Sequence, residues 1–370
     1  PLLCMHLLRH ITLAAIVCSM SRASKIAGLK TALTTVSPQS IRAAAERIAP
    51  YAVRTPVLRS DHIDALAGCE VHFKCEHLQV TGSFKARGAL NAVLSLSDAE
   101  AAVGVVAHST GNHGAAVARA AQARGAPCAI VVPTVTPAAK LANIARYGPT
   151  VVQCEPSPAA RQAASEAEAA RLGGATIVHP FDDGRVICGQ GTIGLELLED
   201  VAGLDAILVP VSGGGMLGGI AAACAGTSTR VIAVEPAGKA LGAALAAGER
   251  VIFDEAELEA RPTLATVADA MPTRLLGPNL AWPLSYGLLD ARDVLAVDDA
   301  AIEAALRLTA SELKQAVEPA GAVALAGLLS PAFAALRDDP ERPLRRVAAV
   351  VCGGNVDAGT LAAILAGGGD

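Results

Sequence analysis

The sequence has few aromatic side chains, little net charge and no long hydrophobic run. One Trp, three Tyr and five Phe occur among 370 residues, and the formal net charge is −5. No basic stripe or aromatic platform appears, which argues against a nucleic-acid partner. The longest apolar run, residues 11–20, is too short to cross a bilayer, so we expect no membrane partner. The eight histidines show no zinc spacing.

The remaining composition is that of a globular protein large enough for two domains. Hydrophobic residues make up 52% and charged residues 18% of the chain. Nine cysteines are scattered without paired spacing, which suits a reducing compartment. The first acidic residue is Glu46, and several basic residues precede it. We expect residues 1–37 to be a dispensable leader of a cytoplasmic protein, with organellar targeting by this segment as the alternative.

Strands alternate with helices along most of the chain. One series of apolar runs and helical patterns extends from residue 103 to residue 179, and a second extends from residue 194 to residue 351. Such alternation predicts parallel sheets that are covered by helices on both faces. The fold class is therefore α/β.

A lysine in an unusual place follows the first predicted strand. Lys85 stands behind Gly82, Ser83 and Phe84, at the start of an apolar helical pattern. The helix dipole and apolar surroundings both disfavour an ammonium there, and they lower its pKa. A neutral amine is what Schiff-base chemistry requires. The alternative is an ordinary surface lysine.

A strand, a glycine turn and a helix follow one another around Ser212–Met216. Glycines let the backbone approach an anion, and a helix start offers free N–H groups, so a phosphate is expected there. The same turn also fits a dinucleotide fingerprint at Gly213, Gly215 and Gly218, with Glu235 at the end of the next strand. An NAD-dependent oxidoreductase is therefore an alternative of another class.

Two further motifs flank helices or strands. The run from Ser109 to Gly114 joins a strand to a helix, where backbone N–H groups and hydroxyls could hold a carboxylate; the alternative is a simple helix cap. Cys352 follows the last apolar strand and precedes Gly353, Gly354 and Asn355; the alternative for this thiol is a small buried hydrophobe.

These four motifs, in the order in which they occur along the chain, resemble those of the serine/threonine dehydratase and serine racemase family, which is fold type II of the pyridoxal-phosphate (PLP) enzymes. The resemblance covers residue 41 to the C-terminus. It implies two open, twisted, mostly parallel sheets: a large domain of residues 38–103 and 182–370, and a small domain of residues 104–181. It also implies a homodimer.

The resemblance assigns roles to individual residues. It implies that Lys85 holds PLP as a Schiff base next to Phe84, that Asn112 binds the ring hydroxyl oxygen and that Cys352 meets the pyridine nitrogen. The phosphate would be held by Ser212, Gly213, Gly214, Gly215 and Met216. The amino-acid substrate would be held by Ser109, Thr110, Gly111, Asn112 and His113.

The function expected from the resemblance is that of an ammonia-lyase. It would convert L-threonine, L-serine or both to 2-oxobutanoate or pyruvate and ammonia, with Lys85 removing the Cα proton. A serine racemase with a side lyase activity is the first alternative, in which Thr110 would be the second catalytic acid/base. A PLP-binding protein without turnover and the NAD-dependent oxidoreductase remain as further alternatives.

Two positions depart from the family pattern. At the family's divalent-cation site only Glu235 matches, whereas Lys239 and Leu241 occupy the other two ligand positions. We therefore expect no metal, with the Lys239 ammonium in place of a cation. Val80 replaces the lysine of the nucleotide-activated members, so ATP regulation is not expected.

Overall fold

Two β-sheets, both mainly parallel, organise the chain in a computed structural model that describes residues 27–109, 111–261 and 263–367. The strands are β1 (Val57–Leu58), β2 (Glu70–Lys74), β3 (Val105–His108), β4 (Cys128–Pro133), β5 (Thr150–Cys154), β6 (Thr176–Ile177), β7 (Ala206–Pro210), β8 (Arg230–Pro236), β9 (Val294–Val297) and β10 (Arg346–Val350).

Helices cover both sheets. They are α1 (27–35), α2 (Pro38–Ile48), α3 (Asp61–Ala67), α4 (Lys85–Leu94), α5 (Asp98–Val103), α6 (Asn112–Arg124), α7 (Ala138–Ala145), α8 (Pro158–Arg171), α9 (Gly184–Asp200), α10 (Gly215–Cys224), α11 (Leu241–Ala247), α12 (Glu255–Ala260), α13 (Ala281–Leu288), α14 (Asp299–Leu308), α15 (Pro319–Leu328), α16 (Pro331–Arg337) and α17 (Ala358–Ala366).

The strand order confirms the predicted fold class. The larger sheet has the order β1-β2-β10-β7-β8-β9, and every pairing in it except β1 with β2 is parallel. The smaller sheet has the order β5-β4-β3-β6 and is parallel throughout. Its four strands lie within residues 104–181, the range predicted for the small domain. Strands β7 and β10 are buried along almost their whole length, as expected for parallel strands with helices on both faces.

Helix α9 begins ten residues before the predicted start at residue 194. Its first half contains glycines, which are poor helix formers, so the local pattern does not predict a helix there. The fold explains these glycines, because a Cβ at Gly189 would lie 2.5 Å from the carbonyl oxygen of Arg87, and one at Gly191 would lie 2.8 Å from that of Gly219. Close packing of α9 against α4 and α10 therefore requires glycine.

The predicted leader needs a correction at its C-terminal end. Residues 1–26 lie outside the described residues, but 27–35 form α1, and both Ala32 and Val36 are buried against Ile41, Ile187 and Leu284. The predicted boundary at residue 37 is therefore too late, because α1 is part of the core.

Within the described ranges, no single helix is both long and apolar enough to cross a membrane. The bent helix pair α15–α16 together has the length and the composition of a membrane span, and no more than these two properties. All ten residues of α15 are buried in the core.

Candidate active site

Lys85 is the first residue of α4, and its side chain reaches the loop that follows β6. Its Nζ donates a hydrogen bond to the carbonyl oxygen of Pro180 at 2.8 Å and lies 5.0 Å from the centroid of the Phe84 ring. Burial lowers the pKa of Lys85 to about 8, although the nearby Cys352 and Glu318 act in the opposite direction. A substantial fraction of this amine is therefore neutral at mildly alkaline pH.

The segment before Lys85 is fixed to the chain that follows β10. The amide of Phe84 donates to the Cys352 carbonyl at 3.0 Å, and the amide of Gly354 donates to the Gly82 carbonyl at 2.9 Å. The side chain of Asn355 donates to the Thr81 carbonyl at 2.7 Å. These bonds hold the lysine motif and the last-strand motif together, although about 270 residues separate them along the chain.

The glycine turn after β7 packs directly on Phe181. Ideal Cβ atoms at Gly213 and Gly215 would lie 2.3 Å from the Phe181 ring and 2.6 Å from its carbonyl oxygen, respectively. Gly214 has a φ of +88°, which favours glycine for a separate reason. Helix α10 begins at Gly215, and the first amides of a helix have no acceptor within it. Such a turn can accept an anion. It packs on Phe181, which directly follows Pro180, the residue whose carbonyl oxygen accepts from Lys85.

Asn112, at the start of α6, belongs to a partly buried polar network. Its Nδ2 donates to Oε1 of Glu318 at 2.8 Å, and its Oδ1 accepts from Nδ2 of Asn355 at 2.8 Å. Burial raises the pKa of Glu318 to about 7, while the bond from Asn112 acts against that shift. Sequence reasoning missed Glu318. The only local signal is an acidic residue immediately before Pro319, which also suits an ordinary helix start.

Cys352 is buried beside α15. Its Sγ donates to the carbonyl oxygen of Ala320 at 3.2 Å, and burial raises the pKa of the thiol well above its ordinary value. The thiol is therefore neutral and can take part in a hydrogen bond without adding a charge to the site.

The predicted substrate residues lie at the end of β3 and the start of α6. Oγ of Ser109 accepts from the amide of Gly111 at 3.2 Å. The His113 ring contacts the Val178 carbonyl through Nε2 at 2.9 Å, whereas its buried Nδ1 has no partner among the described residues. Burial lowers the pKa of His113 to about 3. Thr110 lies outside the described residues.

Two histidines that the sequence did not single out as site residues also lie here. Nδ1 of His179 accepts from the amides of Phe181 and Asp182, at 3.3 and 2.9 Å, so its proton is on Nε2. The His179 ring meets that of His108 edge-on, with centroids 6.3 Å apart. Burial, then the charges of His179 and Arg161, lower the pKa of His108 to about 4. Both rings are therefore neutral near pH 7.

Comparison with known proteins identifies the family. A model of the pyridoxal-phosphate dependent enzymes matches residues 48–353. The chain belongs to this family. The serine racemase of Oryza sativa subsp. indica is 43% identical over 324 residues, which cover 87% of this chain and 91% of the relative. The beta-hydroxyaspartate dehydratase of Paracoccus denitrificans is 39% identical over 323 residues, which cover 86% and 96%. The structure of maize serine racemase has a TM-score of 0.82 and 41% identity, and the match covers 90% of this chain and 98% of that one.

The residues of this PLP-dependent enzyme fit the cofactor. The glycine turn at Ser212–Met216 is suited to the phosphate, and Lys85 supplies an amine of lowered pKa that contacts Pro180, next to the Phe181 on which the turn packs. Asn112 and Cys352 lie in contact with the segments that position this lysine. The hydroxyl of Ser83 is buried without a partner among the described residues, so a polar acceptor remains available next to Lys85. PLP as the cofactor replaces the NAD-dependent alternative.

Proposed function

We propose that this enzyme acts on L-serine as a racemase that also eliminates water to give pyruvate and ammonia. The observation that carries the proposal is the Lys85 amine, whose pKa is lowered to about 8 and whose Nζ is oriented by the Pro180 carbonyl. The similarity to serine racemases supports this activity above the ammonia-lyase that the sequence alone favours.

The side chains divide the work between holding the substrate and moving its Cα proton. Bound PLP supplies an electron sink that makes the Cα proton acidic. Lys85 anchors the cofactor in the resting enzyme, and its free amine then accepts the Cα proton on one face. The Ser109–His113 loop holds the substrate carboxylate through backbone N–H groups. Cys352 remains a neutral hydrogen-bonding partner, so the site adds no carboxylate at that position.

Return of a proton from the opposite face gives D-serine, and loss of the β-hydroxyl gives the oxo acid. Thr110 is our candidate for the opposite face, from its place in the motif. A threonine hydroxyl can carry a proton, but its χ1 is stiff. The ratio of the two products therefore depends on how well this hydroxyl reaches Cα, because a displacement of about 1 Å can cost on the order of a hundredfold in rate.

A second candidate is a 3-hydroxyaspartate ammonia-lyase. Arg161, in the first turn of α8, has a buried Nε without a partner among the described residues, and its charge acts on His108. A guanidinium whose charge reaches the neutral His108, and whose Nε has no partner among the described residues, suits a second substrate carboxylate. The Paracoccus relative, named as a beta-hydroxyaspartate dehydratase, supports the same class of substrate.

The experiment is a parallel assay of the purified enzyme with L-serine, L-threonine and 3-hydroxy-L-aspartate. Oxo acid, ammonia and the D-enantiomer are measured separately, the last by chiral chromatography. We expect D-serine and pyruvate from L-serine, and no product from a Lys85→Ala variant. Lys30→Ala, an exposed lysine of α1, is the control and keeps full activity.

Two variants distinguish the candidates. Thr110→Ala should abolish D-serine formation while pyruvate formation stays within about tenfold of wild type. Arg161→Met should lower kcat/KM for 3-hydroxyaspartate and leave that for serine unchanged. Turnover of 3-hydroxyaspartate without any D-serine from L-serine would reject the racemase in favour of the second candidate.

A further inference from the structure

Lys239 is a buried lysine whose ammonium contacts the backbone of the glycine turn at Ser212–Met216. It follows β8, and the residue is only 2% exposed. Its Nζ donates to the carbonyl oxygen of Ser212 at 3.0 Å and to that of Thr273. Ser212 is the first residue of the glycine turn, so this ammonium joins the turn to the loop that contains Thr273.

The next carbonyl of the turn is held by the loop that contains Thr273. The amide of Gly277 donates to the carbonyl oxygen of Gly213 at 3.0 Å. In a trans peptide the C=O and the following N–H point in opposite directions. Fixing the carbonyls of Ser212 and Gly213 therefore also fixes the N–H groups of Gly213 and Gly214, which point away from these contacts.

The surroundings of Lys239 hold its charge in one position. The Glu235 carboxylate lies within electrostatic reach of the ammonium; its Oε1 accepts from the amide of Leu241 at 2.9 Å, and its buried Oε2 has no partner among the described residues. Between these residues Ala240 has a φ of +58°, a left-handed conformation that a side chain disfavours. The backbone is therefore strained at Ala240, the residue that directly follows Lys239.

We propose that Lys239 is a positioning residue for the cofactor phosphate, a built-in cation that orients the Ser212–Gly213 peptide without a divalent metal ion. The ammonium polarises that peptide, which strengthens the Gly213 N–H as a donor, and its positive charge also favours a phosphate dianion on the other side. This inference concerns cofactor binding and is independent of which amino acid the enzyme converts.

The test measures phosphate affinity in the full chain after removal of PLP. Inorganic phosphate and PLP are titrated by calorimetry into the wild type, Lys239→Met, Lys239→Arg and a Lys239→Ala/Leu241→Asp double variant, with and without Ca²⁺. Lys74→Met is the matched control, because Lys74 is also fully buried but contacts Thr55, Glu196 and Asp200 away from the turn.

We expect Lys239→Met to lower the affinities for phosphate and for PLP at least tenfold, and Lys239→Arg to recover part of this loss. A folded Lys74→Met variant should keep both affinities unchanged. In the double variant, Glu235, Asp at position 241 and the two freed carbonyls offer oxygen ligands, so Ca²⁺ should restore phosphate affinity. Wild type should bind phosphate equally well with EDTA.

Unchanged phosphate and PLP affinity in a folded Lys239→Met protein, with only a lower melting temperature, would show a purely structural role and overturn the proposal. Weaker phosphate binding by wild type in EDTA that Mg²⁺ or Ca²⁺ restores would overturn it as well. This wild-type measurement decides the question even where Lys239→Met fails to fold.

Discussion

Replacement of Gly213 by alanine tests whether Phe181 and the glycine turn act as one unit. Gly213 lies outside the left-handed region, so alanine can adopt its backbone conformation. The obstacle is space, because the new Cβ would lie 2.3 Å from Cγ of Phe181 and 2.4 Å from its Cδ1. Carbon atoms pack at about 3.5–4.0 Å, so the ring and the turn must separate by more than about 1 Å.

That separation disturbs two contacts at once. If the turn moves, its amides leave the phosphate; if Phe181 moves, it displaces the neighbouring Pro180 carbonyl that accepts from Lys85. A misplacement of about 1 Å at a reacting group costs on the order of a hundredfold in rate. We therefore expect Gly213→Ala to lower kcat/KM by roughly a hundredfold, with weaker PLP binding.

The assay is a double-mutant cycle with Phe181→Ala, read by PLP titration and by product formation. Removal of the ring makes room for the new methyl group, so the double variant should bind PLP better than Gly213→Ala alone, with a coupling of at least about 1.4 kcal/mol. Gly28→Ala in α1 is the control, because its Cβ would meet only Pro283, at 3.8 Å. Normal PLP binding by Gly213→Ala, or additive effects in the cycle, would refute the reasoning.

Two further variants test the buried charges. Burial raises the pKa of Glu318 to about 7, whereas the pKa of an ordinary Glu is about 4.3. The stability of the folded, cofactor-free chain therefore falls as the pH rises from about 4.3 to 7. Glu318→Gln should therefore be more stable than wild type by about 2 kcal/mol at pH 8 in urea unfolding, with little difference at pH 4; an equal difference at both pH values would contradict this. Arg87→Met leaves the fully buried Glu76 without its cation and should cost about 3–5 kcal/mol, whereas Arg292→Met, which removes an exposed ion pair, should leave the urea midpoint nearly unchanged; equal effects of the two variants would contradict the argument.

The turns that carry chemistry were readable from the sequence because their signals are local. The glycine turn at Ser212–Met216 lies between an apolar strand and a helix, and the structure has β7 and α10 on either side of it. Lys85 likewise begins a helix, as its apolar spacing predicts. Glycine position and apolar periodicity involve only residues that are close in the sequence, so both can be recognised without knowledge of the fold.

The partners of these turns were not readable, because the fold alone brings them together. Lys85 and Pro180 are 95 residues apart, and Asn112 and Glu318 are 206 residues apart. The early start of α9 was missed for the same reason, since its glycines are explained only by the neighbouring helices. Likewise α1, assigned to a leader by its basic composition, is held by buried contacts with distant parts of the chain.

The short segment His179–Asp182 shows what such contacts add. As sequence it suits a solvated turn or a helix start, and Asp182 does accept from the amides of Leu280 and Ala281 at the start of α13. In the structure, the carbonyl oxygen of Pro180 accepts a hydrogen bond from Lys85, and Phe181 packs against the glycine turn. His179 carries its proton on Nε2, and its ring lies next to that of His108. The segment follows β6 of the smaller sheet, and α4, which Lys85 begins, shares the buried cluster of β3 and β4. The glycine turn instead follows β7 of the larger sheet. Because Pro180 and Phe181 are adjacent in the chain, a displacement of this segment changes the environment of the Lys85 amine and of the glycine turn together.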